Sequence, residues 1–126
     1  LATENAQLDY LKKVAASLLP TGYLIIDFFN IQTLLPTLPL QRFHRVQEVL
    51  YQLRGQQDQQ FIRHDVKVQD GLYEGTYSSK THIHFRESFE YLFLRTGLRI
   101  VRVYGDYELQ PFGAESPRLI LIVEKR

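Results

Sequence analysis

The sequence predicts an α/β fold with parallel strands and an antiparallel β-ribbon between two helix-and-strand passages. Three observations lead there. Tyr23-Leu24-Ile25-Ile26-Asp27-Phe28-Phe29 is a nearly unbroken apolar run, the pattern of a strand buried on both faces in a parallel sheet. A helical periodicity precedes that run, and a second helix-then-strand passage follows over 87–103. Between them, apolar/polar alternation around Asp70-Gly71 has the period of hairpin strands.

Taken in order, Leu8, Leu11, Val14, Ala15, Leu18 and Leu19 share one helical face over 5–19, with Lys12 and Lys13 opposite. Pro20-Thr21-Gly22 stops this helix, because proline cannot continue it and glycine takes the turn readily. The apolar strand comes next, and then two prolines among leucines over 30–39 give an irregular segment. Phe43, Val46, Val49, Leu50 and Leu53 stand at helical spacing, which predicts a helix over 40–53 closed by Gly55 and a Gln-rich stretch. Residues 61–68 alternate, Asp70-Gly71 turns the chain, and 72–85 returns as a second and a third strand. A short helix over 87–95 with Phe89, Leu92 and Phe93 inward is capped by Thr96-Gly97. Strands follow over 98–103 and 118–123, separated by a loop with two prolines and two glycines.

Composition bounds the function. A chain of 126 residues that is 44% hydrophobic and 23% charged has the profile of a folded domain, with one domain as the upper limit. The formal charge of +1 provides no global field toward nucleic acid or an anionic membrane, although Arg42, Arg45 and Arg54 cluster in one segment. With no Cys there is no disulfide, thiolate metal site or cysteine nucleophile, which fits a cytoplasmic protein. No apolar stretch approaches the length of a bilayer span. The absence of Met, including at Leu1, suggests that Leu1 is not the natural start.

Three ordered passages resemble the C-terminal half of a class I S-adenosylmethionine-dependent methyltransferase. They are Leu18-Leu19-Pro20-Thr21-Gly22 with the strand through Asn30, Phe89-Glu90-Tyr91-Leu92-Phe93 through Thr96-Gly97 to Tyr107, and Ser116-Pro117-Arg118 with the apolar run to Lys125. The resemblance implies a Rossmann-like sheet whose terminal strand runs antiparallel. It also implies one partial domain: helix and buried strand over 1–30, an insertion with helix and ribbon over 31–86, and helix, strand, loop and terminal strand over 87–126.

The family's cofactor is S-adenosylmethionine, held by a glycine-rich loop after the first strand and an acidic residue ending the second. No Gly-x-Gly occurs here, and one helix alone precedes the Tyr23 strand. No cofactor-binding residue is therefore assigned, and the isolated chain is expected to be inactive. Its expected partner is the missing N-terminal half or a second copy of the chain.

Methyl transfer requires alignment of acceptor and sulfonium more than a catalytic motif, so no catalytic residue is assigned. Ligands of open α/β sheets sit beyond the carboxyl ends of the strands, which points to Asp27, Asn30 and Tyr107 as substrate-side candidates. The competing reading is that Asp27 and Tyr107 only cap and pack the adjoining loop. Arg63 and His64, with Asp65, supply a charged tip for a lid, or else a solvated strand face. His82-x-His84 has a strand spacing compatible with a metal but lacks a nearby carboxylate, so no metal is assigned. Ser78, Ser79 and Ser88 lack a nucleophile-elbow context.

The leading function is methyl transfer to an unidentified acceptor by an intact parent. The alternative is a non-enzymatic half-domain that pairs with itself or another protein, since uncovered sheet edges and apolar faces seldom stay bare. An independent α+β ligand-binding domain is disfavoured by the Tyr23 run, and RNA binding would rest on three arginines.

Overall fold

The computed structural model describes residues 3–126. The chain forms two compact units, one made of the N-terminal segment through Leu34 together with His84–Arg126, the other of Leu35–Ile83.

In the first unit, α1 (Glu4–Ser17) starts where Thr3 accepts a hydrogen bond from the Ala6 amide at 3.1 Å, an N-cap that Glu4 reinforces by placing a carboxylate in the first turn. Its buried residues include Leu8, Leu11 and Ala15, the stripe expected from periodicity. β1 (Tyr23–Phe29) follows, then a single turn of helix, α2 (Ile31–Leu34). α3 (Arg86–Leu94) buries Phe89, Leu92 and Phe93. Thr96 closes α3 by donating to the Leu92 carbonyl at 2.9 Å, and Gly97, at φ 76°, supplies the left-handed residue that releases the chain into β6 (Leu98–Tyr104). The last strand is β7 (Arg118–Lys125).

The sheet order is β1-β7-β6, with both neighbours antiparallel to β7. The terminal strand is thus antiparallel, as expected, and β1 and β6, which flank it, run in the same direction without pairing; all strand pairings among the described residues are antiparallel. Burial corrects the expectation of a strand covered on both faces. β1 alternates, with Tyr23 60% and Ile25 64% exposed while Leu24, Ile26 and Phe28 pack on the core. Its continuous apolar run therefore serves one core-facing side and another that is exposed at Tyr23 and Ile25 and half-buried at Phe29. The core lies between that covered face and the two helices, where Leu8, Leu11, Phe89, Phe93, Leu121 and Val123 meet. Burial of a side chain such as Phe93, 1% exposed, is the kind that contributes about 1.5–3 kcal/mol.

The second unit is a four-stranded antiparallel meander, β2 (Leu40–Val46), β3 (Val49–Asp58), β4 (Phe61–Asp70) and β5 (Tyr73–His82), in sequential order. The predicted helix over 40–53 is absent; those residues form β2, a turn and the first half of β3. The apolar spacing fits both periods here, and the turn residues Gln47-Glu48 carry no glycine or asparagine to betray a hairpin. The backbone nonetheless takes Gln47 to φ 53° and Gln59, in the next turn, to φ 56°. The Asp70-Gly71 signal does mark its hairpin, with Gly71 at φ 60°.

Candidate functional site

β1 and β7 pair so that Phe29 faces Arg118 and Asp27 faces Ile120. Asp27 and Arg118 therefore lie on a diagonal of one sheet face, within reach of a long side chain. Arg118 donates its Nε–H to Asp27 Oδ1 at 2.9 Å, and Tyr107 donates its hydroxyl to Asp27 Oδ2 at 2.7 Å. The Arg118 guanidinium also lies 5.3 Å from the Phe29 ring centre and 5.8 Å from that of Tyr107. Burial alone would raise the Asp27 carboxyl, but the hydrogen bonds from Tyr107 and Arg118 and the Arg118 charge outweigh it and hold the group below the usual aspartate range. The hydrogen bond to Asp27, with some burial, pushes the Tyr107 phenol up.

Asn30, 3% exposed, lies just past the end of β1. Its Nδ2 donates to the carbonyls of Ser116 at 2.7 Å and of Gly113 and Ala114 at 3.3 Å each. Its Oδ1 accepts from the Gln32 amide at 3.2 Å. The side chain thus clamps the 105–117 loop to the strand end, a positioning task that occupies it fully. The loop holds itself together as well, with Asp106 Oδ1 accepting from the amides of Glu108 and Gln110 at 2.9 and 3.2 Å. Asn30 also lines a cavity of about 150 Å³ with Gln32, His84, Arg86, Phe112 and Leu119.

Asp27, Asn30 and Tyr107 are thus gathered around one loop. Arg118 was missed in this role. Its one sequence signal is its place as the charged residue opening an apolar strand.

Arg63 and His64 belong to the other unit, where strand alternation separates them. Register puts Arg63 and Asp65 on the same face as Arg54 and Ser78, and His64 on the face that carries Gly55 and Val66. Arg63 donates to Asp65 at 3.2 Å, and Ser78 donates to the same carboxylate. The Ser78 hydrogen bond, with Arg63 and the Arg54 charge, keeps Asp65 below its ordinary range against the opposing effect of burial. The Arg63-His64-Asp65 run therefore places a paired arginine and aspartate on one face of the strand and a histidine on its reverse. The arginine cluster divides likewise, Arg42 on one face and Arg45 and Arg54 on the other. His82 ends β5 while His84 packs its ring 4.9 Å from that of Phe89 in the first unit. Among the described residues, no three His, Asp or Glu side chains gather as metal ligands would, and no helix is long and apolar enough to cross a membrane.

This fold is that of part of an S-adenosylmethionine-dependent methyltransferase. The chain superposes over its whole length on the CcbJ methyltransferase of Streptomyces caelestis, with a TM-score of 0.84 at 15% identity, covering 56% of that protein. An S-adenosylmethionine-dependent methyltransferase of Clostridium acetobutylicum matches 99% of the chain with a TM-score of 0.82 at 15% identity and 53% coverage. CalS10 of Micromonospora echinaspora, an amino pentose methyltransferase solved with S-adenosylmethionine bound, matches at a TM-score of 0.65 and 14% identity, again over 53% of its length. The chain thus spans about half the length of the solved structures it matches. No family model matches the chain, and no curated protein matches it in sequence.

S-adenosylmethionine is the cofactor of the Clostridium neighbour and is bound in CalS10, and the present residues do not fit it. Gly71 joins two strands, Gly97 leads out of a helix, and Gly105 leads from β6 into a loop without a helix. None opens a strand–loop–helix passage of backbone amides.

Proposed function

We propose that the chain is the acceptor-side half of an S-adenosylmethionine-dependent methyltransferase, whose parent transfers a methyl group to an unidentified acceptor. The observation that carries this reading is full coverage of the chain by neighbours of which it covers only just over half, with a TM-score of 0.84. In this reading, 31–86 is an insertion on the acceptor side, and the 1–30 and 87–126 segments are the terminal part of a Rossmann-like sheet. Its parallel neighbours would come from the N-terminal half, pairing along the free edge of β1, and the compartment is the cytoplasm.

Asp27, Tyr107 and Arg118 give the 105–117 loop a fixed shape beside the strand end, and Arg63 and His64 stand on the insertion. These residues orient or enclose an acceptor and carry out no bond-making step. One neighbour acts on an amino pentose, so an amine on a sugar is the first acceptor class to test.

Isothermal titration of the 126-residue chain with S-adenosylmethionine tests the division of labour. The expected result is no binding, with binding appearing when an N-terminal half is supplied. Micromolar binding by the chain alone would overturn it.

A further inference from the structure

In the first unit a cavity of about 150 Å³ lies where the end of β1, the single turn α2, the start of α3 and the 105–117 loop converge. Its floor is apolar: Ile31 and Leu119 are each 2% exposed, and the half-buried Phe112 joins them from the loop. Its rim is polar and charged, for Arg86 and Glu87 are successive exposed residues at the start of α3 and Gln32 adds an exposed amide. The cavity is distinct from the Asp27 cluster. Leu119 belongs to the core of the first unit, so its neighbour Arg118, with Asp27, stands on the opposite face of the sheet.

Size and charge together select a ligand. A cavity of this volume holds a molecule of about six non-hydrogen atoms, as an engineered apolar cavity of about 150 Å³ holds benzene. Arg86 offers a cation. It donates to Glu90 at 3.1 Å, but the two side chains are 43% and 49% exposed, and an exposed pair of that kind is weak enough to exchange for a ligand. Glu87 offers an anion beside it. A molecule with a carboxylate and an ammonium one carbon apart answers both charges, and a short apolar substituent answers the floor.

We propose that this cavity binds a small α-amino acid of about the size of alanine, with its carboxylate on Arg86, its ammonium on Glu87 and its side chain against Phe112 and Leu119. The site has a route to the rest of the unit. Asn30, which clamps the 105–117 loop, lines the same cavity, and Phe112 belongs to that loop. An occupant therefore packs against two anchors of the loop and resists its movement. The inference is independent of methyl transfer, and its test uses neither the cofactor nor an acceptor.

Amide correlation spectra of the 126-residue chain titrated with L-alanine are expected to show saturable shifts at Gln32, Arg86, Glu87 and Phe112, with a Kd of about 1 mM. Propionate lacks the ammonium and ethylamine lacks the carboxylate, and each is expected to bind at least about tenfold more weakly. Leucine, too large for the cavity, is expected to bind as poorly. Glu87→Gln should abolish the preference for alanine over propionate while leaving propionate binding unchanged, and Arg86→Gln should abolish the preference over ethylamine. Neither loss follows from a merely structural role. Hydrogen exchange at the Gly113 to Ser116 amides is expected to slow at saturating alanine. The absence of saturable shifts up to about 50 mM alanine would overturn the proposal. So would a Glu87→Gln chain that still prefers alanine to propionate, or loop exchange that bound alanine leaves unchanged.

Discussion

Arg118 and Asp27 are diagonal neighbours across the β1–β7 ladder, and their 2.9 Å hydrogen bond ties the first strand of the chain to the last. Tyr107 joins at 2.7 Å from the loop that leads into β7, so one carboxylate reads the positions of three segments. Asp27→Asn removes the charge both partners favour. The Asp27 side chain is 38% exposed, so solvent screens the pair and the cost is expected near 0.5–1 kcal/mol by urea unfolding.

The same pair sets a pH dependence. A carboxyl held below its unfolded value contributes stability that is complete above that value, about 4, and is lost as pH falls through the lower folded one. Wild-type stability should therefore decline below about pH 4 more steeply than that of Asp27→Asn. Parallel urea titrations from neutral to acidic pH measure this, and identical slopes would show that Asp27 does not contribute.

Asn30 is the clamp on the 105–117 loop. Asn30→Ala removes the buried side chain that donates to the carbonyls of Gly113, Ala114 and Ser116 through partly buried hydrogen bonds, at an expected cost of about 0.5–1.5 kcal/mol. Hydrogen exchange should speed up at the Gly113 to Ser116 amides before it does in α1.

Gly105 admits no side chain. A Cβ there would lie 2.3 Å from Ser116 Oγ and 2.6 Å from Ser116 Cβ. Gly105→Ala is expected to destabilise by about 1–3 kcal/mol, and Ser116→Gly in the same chain to recover part of it. Thermal melts of the two single variants and the double variant decide the matter.

Gln47 offers the opposite sign. Its φ of 53° is a left-handed conformation that glycine adopts freely, so Gln47→Gly is expected to stabilise the β2–β3 hairpin by a few tenths to about 1 kcal/mol, after the glycine's own entropic cost. A loss of stability on urea unfolding would contradict it.

Much of the first unit was legible in the sequence because each element carried its own punctuation. Pro20 and Gly22 stop α1, Thr96-Gly97 ends α3, and glycines and prolines bound the loop after β6. What a single strand cannot disclose is which way its neighbour runs. Tyr23–Phe29 is apolar on both faces, yet β7 is its one strand neighbour among the described residues and Tyr23 and Ile25 stay exposed. The second unit was half legible. Asp70-Gly71 announces its hairpin, whereas Gln47-Glu48 and Gln59-Gln60 turn the chain without the residues that normally favour such turns.

The candidate residues divide for the same reason. Asp27, Asn30 and Tyr107 were singled out by a rule about strand ends, and one loop after β6 brings all three together. Arg63 and His64 were adjacent in sequence, and a period of two sends adjacent residues to opposite sides. Arg118 became visible only when register placed it beside Asp27.

Among the described residues β1 has β7 as its only strand neighbour, so its other side presents unpaired backbone groups along seven mostly apolar residues. Such a border is open to an added strand. Asp27 stands at its fifth position, the one acidic residue in Tyr23–Phe29, but its carboxylate is held by Tyr107 and by Arg118 of β7, on the side away from that border. The residue that fastens the loop therefore leaves the edge clear for the strand proposed to join it.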